Sequence, residues 1–144
     1  MTARQVFMDT WGWLGLVNAN DPFHACARQA YSDLVAQGTQ FVTTNAVLYE
    51  LFENSRRHFG QSSALRLQAI IAKAVAENDL AIVYLDPSVE NLAWEIYERL
   101  IDQKISYVDC LSFATMQLNQ LRVAFTGDWH FTLLGFDIIP AIKR

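Results

Sequence analysis

The sequence predicts an α/β protein, a three-layer α/β/α sandwich around a mostly parallel sheet of about five strands. Three observations predict it. Short apolar runs of strand type alternate with longer segments of helical period along the whole chain, the pattern of parallel strands joined by crossover helices. Of the 144 residues, 52% are hydrophobic and only 18% are charged, which suits one domain spanning 1–144 with a single good-sized core. Aspartates recur where apolar runs end or helices open, at Asp9, Asp109 and Asp128. With parallel strands, those junctions gather at the sheet edge where open α/β sheets bind ligands.

The elements follow in order. Gln5 to Met8 is the first strand, and Asp9-Thr10 ends it. Trp11 to Val17, apolar and aromatic, reads as a short helix or ordered loop. Asp21 as N-cap with Pro22 at the first helical position predicts a helix to about Gln37, stopped by Gly38. His24 lies in its first turn, where the helix dipole disfavours a charged imidazole. Phe41 to Thr44 is the second strand. A helix from Ala46 to Phe52 or Asn54 carries Glu50, and a loop to Gly60 holds the basic run Arg56-Arg57-His58. Ser62 or Ser63 caps a helix to about Glu77, with Leu65, Ala69, Ala72 and Ala76 on its apolar face. Leu80 to Leu85 is a continuous apolar strand of the kind buried on both faces. Asp86-Pro87 opens a helix with the stripe Val89, Leu92, Ala93, Ile96 and Leu100. Ser106 opens a helix to about Gln120. Val123 to Thr126 is the fourth strand, Trp129 to Leu134 a short helical connection, and Phe136 to Ile139 a last strand stopped by Pro140.

Composition excludes several classes. A net charge of −4 argues against tight, non-specific nucleic-acid binding, though not against catalysis on RNA or DNA through a local basic patch and bound cations. The cysteines, Cys26 and Cys110, lack a CxxC spacing and read as reduced, buried small hydrophobes. No apolar run has membrane-spanning length and no signal peptide is visible, so the expected setting is the cytoplasm, without a membrane partner.

Each acid has a plain structural reading. Ser106-x-x-Asp109 is a capping box, Asp128 follows Gly127 in a turn, Asp9 suits the cap of the segment after it, and Glu50 fits a solvated helix face. Together they say more. Four carboxylates in one crevice repel by roughly 3 kcal/mol per pair at about 5 Å and an effective dielectric near 20. A cation offsets that cost, and all-oxygen donors select hard divalent ions, Mg²⁺ or Mn²⁺. Zinc lacks its histidine–cysteine set here. The chain also lacks a Gly-rich phosphate loop, a GxGxxG and a GxSxG elbow. An aspartyl-phosphate phosphatase wants an acid two positions after Asp9, where Trp11 stands.

Four stretches resemble the motifs of the PIN-domain family, and within it the VapC-like ribonuclease toxins of bacterial type II toxin–antitoxin modules. They are Val6-Phe7-Met8-Asp9-Thr10; Val42-Thr43-Thr44-Asn45-Ala46-Val47-Leu48-Tyr49-Glu50-Leu51; Ile105-Ser106-Tyr107-Val108-Asp109-Cys110 with Ser112, Ala114 and Met116; and Phe125-Thr126-Gly127-Asp128-Trp129-His130-Phe131 with Gly135-Phe136 and Pro140. The resemblance covers essentially the whole chain, and His24 also matches a common pattern of the family. One departure is Trp11, where serine or asparagine is frequent after the first Asp-Thr.

The resemblance implies a metal-dependent endoribonuclease with Asp9, Glu50, Asp109 and Asp128 as an acidic quartet around Mg²⁺ or Mn²⁺. It also implies a homodimer and a small antitoxin that covers the acidic site. On this reading Asp9, Asp109 and Asp128 hold the metal, directly or through water for Asp128, while Glu50 orients the nucleophilic water. Thr10, Ser106 and Thr126 then support the carboxylates as hydroxyls, with ordinary cap or turn bonding as their other reading. Arg56 and Arg57 are candidates to grip RNA phosphates, against a solvated loop, and His130 is a candidate to face the crevice, against a structural role. Trp11 and Trp13 suit the core, or a groove for a partner. Three further functions stay open: a free-standing nuclease of the same family, a non-cleaving RNA- or protein-binding module, and a phosphorylated receiver, which needs a lysine near the site. Of Lys73, Lys104 and Lys143, only Lys143 approaches a strand end in the expected layout.

Overall fold

The computed structural model describes residues 4–140, so Lys143 lies outside the described residues. Five strands form one sheet in the order β3-β2-β1-β4-β5. They are β1 Gln5–Met8, β2 Gln40–Thr44, β3 Leu80–Val83, β4 Val123–Phe125 and β5 Asp137–Ile139. Every pairing is parallel, so the expected mostly parallel sheet is wholly parallel among the described strands. The chain winds from β1 outward through β2 to β3, then crosses back to β4 and β5 on the other side. That reversal puts a topological switch point between β1 and β4, and the crevice beyond their C-terminal ends is where such sheets bind ligands. The register pairs Met8 with Phe125, which leaves Asp9 and Thr126 side by side just past the strands.

Helices flank the sheet: α1 Thr10–Val17, α2 His24–Ala36, α3 Asn45–Phe59, α4 Gln61–Ala76, α5 Pro87–Arg99 and α6 Tyr107–Leu118, with a 3₁₀ helix at Trp129–Leu134. The core forms where the central strands meet α6. Val6, Phe7, Met8, Ala124 and Phe125 are fully buried, and so is every residue of α6 from Cys110 to Met116 to within a few per cent. A helix apolar on nearly all sides belongs in the interior, and the polar exceptions of α6, Ser112 and Thr115, are fully buried with it. Thr115 satisfies its hydroxyl by donating to the Leu111 carbonyl one turn back, at 2.8 Å. On α5, Val89, Ala93 and Ile96 are buried and Leu92 and Leu100 half-buried, the stripe the sequence predicts.

Local chemistry moves several boundaries. Asp21-Pro22 opens a turn, not the helix: the Asp21 Oδ1 accepts the Phe23 amide at 2.8 Å and α2 starts at His24. Gly38 does stop it, at φ 75°. Helix α3 runs past Asn54 to Phe59, because Ser55 is buried rather than breaking the helix and the basic run fits the negative end of the helix dipole. Arg56, Arg57 and His58 therefore lie in a last helical turn, not in a loop. Gly60, at φ 89°, separates α3 from α4, and no serine caps α4; Ser63 instead donates back to the Phe59 carbonyl at 3.2 Å.

The buried face of α4 is Leu67 and Ile71, whereas Leu65 is 70% exposed. Apolar residues surround this helix, so packing against α3 chose the face and period alone did not. Strand β3 is the sheet edge with Leu80 alone buried, not an interior strand, and its pairing ends at Val83 opposite Thr44, the last residue of β2. Helix α6 stops at Leu118, short of Gln120, where the backbone turns left-handed at φ 56°. Cys26 is exposed, while Cys110 is buried as expected, and both are free thiols. No helix among the described residues is long and apolar enough to cross a membrane.

Candidate active site

Asp9 is the first residue beyond β1 and the N-cap residue of α1, but its side chain caps nothing. It turns instead to β4, where the Thr126 hydroxyl donates to its Oδ2 at 2.9 Å. The same hydroxyl oxygen accepts the Asp128 amide at 3.1 Å. A buried threonine, 117 residues on from Asp9, thus ties the first acid to the backbone of the last. Thr43, also buried, donates to the Met8 carbonyl at 2.9 Å and fixes the strand end that carries Asp9. Thr10 plays no such part with its hydroxyl, which is buried with no hydrogen-bond partner among the described residues.

Asp109 reaches the crevice from the opposite side, in the first turn of α6. Both bonds of the expected capping box form: the Ser106 hydroxyl accepts the Asp109 amide at 3.1 Å, and Asp109 Oδ2 accepts the Ser106 amide at 3.3 Å. The cap and the candidate ligand are therefore one residue, and the structural and chemical readings do not compete. Asp128 caps the 3₁₀ helix, its Oδ1 accepting the His130 amide at 2.9 Å and the His130 ring Nδ1 at 2.6 Å. Glu50 sits on the exposed side of α3, within electrostatic reach of Asp109.

The four acids lie within electrostatic reach of one another pair by pair, Asp9 with Asp109 and Asp128, and Asp109 with Asp128 and Glu50. Burial pushes the Asp9 carboxyl from its ordinary value near 3.8 up to about 7, with Asp109 and, more weakly, Asp128 adding to the rise; the Thr126 hydroxyl and Thr10 amide pull the other way. Asp109 is also raised, first by burial, then by Asp128 and Glu50, against the opposing Ser106 bonds. Each acid is felt by another. The carboxylates stand at electrostatic range and not in a closed cage: among the described residues, no three acidic, histidine or cysteine groups are set to enclose an ion. The donor set is oxygen throughout, partly dehydrated and in mutual repulsion, which fits a hard divalent cation. Asp9, Asp109 and Asp128 would hold it.

The remaining candidates divide. Arg56 is exposed and paired with Glu53 at 3.1 Å, and Arg57 is exposed beside it. Trp13 is core, 8% exposed. Trp11 is not core but a half-buried wall of the site: its ring covers Gly127 so closely that a Cβ there would lie 2.3 Å from it, and it meets Phe23 at 5.5 Å. His24 Nδ1 lies 2.7 Å from the Gly15 carbonyl and fastens α2 to α1. Sequence reasoning missed Thr43, whose signal is a Thr-Thr pair closing an apolar strand. It also missed the packing need for Gly127, which reads simply as a turn glycine.

The model of the PIN domain family matches residues 6–137. The chain is 29% identical over 131 residues to the 23S rRNA-specific endonuclease VapC20 of Mycobacterium tuberculosis, covering 91% of this chain and 95% of that one. The crystal structure of VapC20, a Sarcin-Ricin loop cleaving toxin, superposes with a TM-score of 0.77 at 27% identity over 91% of this chain and 95% of that one. A toxin–antitoxin complex from Klebsiella pneumoniae superposes with a TM-score of 0.69 at 14% identity, covering 96% and 99% of the two chains, a likeness of fold.

Proposed function

The chain belongs to the PIN domain family, and from that premise we propose that it is an endoribonuclease dependent on Mg²⁺ or Mn²⁺, acting as the toxin of a toxin–antitoxin pair. The observation that carries the reading is the linkage Asp9–Thr126–Asp128, facing a capped Asp109 with raised proton affinity on both Asp9 and Asp109. A fold that buries carboxylates against one another at its ligand-binding edge loses stability unless a cation joins them.

The residues divide the work. A bound divalent ion supplies Lewis-acid charge at the phosphodiester and makes water a better nucleophile at neutral pH. Asp9, Asp109 and Asp128 would hold the ion, Thr126 and Ser106 fix carboxylates among them, and Glu50 on its exposed face would orient the nucleophilic water. Arg56 and Arg57 lie within two turns of Glu50 and offer positive charge to the RNA backbone.

RNA is the substrate we favour, on the likeness to VapC20, which spans nearly all of both chains. An apolar groove supports the reading of a partner helix. Two adjoining concavities of about 440 and 520 Å³ share Leu16, Val17, Leu67 and Ile70, with Arg66 and Arg28 at their margins. Such a groove suits an antitoxin segment with an apolar face and acidic flanks. A homodimer accords with exposed apolar residues elsewhere, Trp94 and Ile101 on and just after α5.

The test is cleavage of ribosomal RNA by purified protein with Mn²⁺ or Mg²⁺. We expect discrete fragments, none with chelator and none from Asp109→Asn. Full cleavage in chelator, or by folded Asp109→Asn, contradicts the reading. Induction without a partner should arrest growth; harmless induction of a form that cleaves in vitro indicates a nuclease outside any toxin–antitoxin pair.

A further inference from the structure

We infer that His130 is a positioning residue for Asp128, a role that rests on the metal reading above and goes beyond it. The geometry is specific to one carboxylate oxygen. Asp128 Oδ1 accepts two hydrogen bonds from the same residue, the His130 amide at 2.9 Å and ring Nδ1 at 2.6 Å. A carboxylate cannot donate, so the ring proton sits on Nδ1. Two bonds engage Oδ1 and leave Oδ2 the freer atom for a cation. The ring itself is held: it stacks on Trp129 at 4.4 Å and 28°, and both partners of the pair are largely shielded from water.

The chain of contacts continues inward. The Asp128 amide donates to Thr126, and Thr126 donates to Asp9. His130 therefore closes the open end of a hydrogen-bonded line running along two candidate ligands. Without the ring bond, the Asp128 carboxylate keeps the His130 amide alone and is less firmly oriented. A ligand orientation secured by an outer hydrogen bond is worth about ten- to a hundredfold in metal affinity. His130 need not touch RNA to matter.

The test measures Mn²⁺ binding to the full chain by calorimetry, alongside melting temperatures in chelator, for wild type, Asp109→Asn, His130→Ala, His130→Asn and His130→Gln. Asparagine places an amide N–H near the position of Nδ1; glutamine places it near Nε2. We expect His130→Asn to bind Mn²⁺ like wild type, and His130→Ala and His130→Gln to bind about tenfold more weakly, with His130→Asn and His130→Gln melting alike in chelator. If His130→Ala is unfolded, the Asn and Gln pair carries the comparison. Binding equal to wild type in His130→Ala or His130→Gln overturns the role, and so does equal weakening in Asn and Gln. Loss in Asp109→Asn with none in His130→Ala removes the positioning role and leaves the metal reading standing. A wild type that binds no Mn²⁺ removes both.

Discussion

At the residue scale the site is a conflict between burial and charge. Asp9 is 5% exposed and has one side-chain partner, Thr126, for a carboxylate with several lone pairs. Its carboxyl rises to about 7 from near 3.8, chiefly by dehydration and then by Asp109. The sign of the linkage follows. Between those values the native state holds a proton that the unfolded state has released, so the apo protein loses stability as pH rises from about 4 to about 7 and stays low above. Asp109 shifts in the same direction and deepens the loss. Urea midpoints at a series of pH values in chelator should fall across that window; midpoints that rise through it contradict the geometry. Thr126 gives a second prediction. Thr126→Val removes the hydroxyl at nearly constant volume, frees the Asp9 carboxylate and the Asp128 amide together, and should cost about 1–3 kcal/mol with loss of most cleavage. A folded Thr126→Val with full activity would reduce that hydroxyl to ordinary turn bonding.

At the scale of elements, the site depends on how each segment begins or ends. Helix α6 begins with a capping box that also aims Asp109. Ser106→Ala should cost about 1 kcal/mol by thermal melt and lower cleavage by more than that loss of stability explains, because the carboxylate loses its hold. Cleavage unchanged in Ser106→Ala would make the box a cap alone. The loop after β4 begins with Gly127 under the Trp11 ring, where a methyl group would collide at 2.3 Å. Gly127→Ala should destabilise by roughly 1–3 kcal/mol and shift tryptophan fluorescence as the indole moves. An unmoved spectrum would refute the packing.

These elements also show what the sequence discloses. Asp86-Pro87 and Ser106-x-x-Asp109 were legible as starts because the cap chemistry is local and complete within four residues. Asp21-Pro22 carries the same signal and opens a turn, since the Asp21 side chain satisfies the Phe23 amide before any helix begins. The acids were legible from their places at element junctions. Thr126 was legible as a supporting hydroxyl, but which acid it holds was not, because nothing local relates positions 117 residues apart. The burial of α4 was misread for a related reason: its apolar residues do not confine themselves to one stripe, and only the neighbouring α3 decides between Leu67 and Leu65.

At the scale of the whole molecule, the parallel sheet brings one tension to one place. Winding outward from β1 to β3 and back to β4 and β5 gathers Asp9, Asp109 and Asp128, with Glu50 beside them, at the switch point. The net charge of −4 adds long-range repulsion that a cation relieves. Exposed apolar side chains on α4, Leu65, Ile70 and Val75, are available to a protein partner. The central claim is that the acids form a single cation site held together at the expense of apo stability. It is tested most directly by thermal melts of wild type and Asp9→Asn at neutral pH, each in chelator and in Mn²⁺. In chelator, Asp9→Asn should melt higher than wild type, because asparagine keeps an acceptor for Thr126 and loses the buried charge. Wild type should gain about 2.7 kcal/mol when Mn²⁺ is at a hundredfold its dissociation constant, and Asp9→Asn should gain far less. An Asp9→Asn protein that melts lower than wild type in chelator, with an equal gain from Mn²⁺, would contradict the claim and leave Asp9 a structural residue.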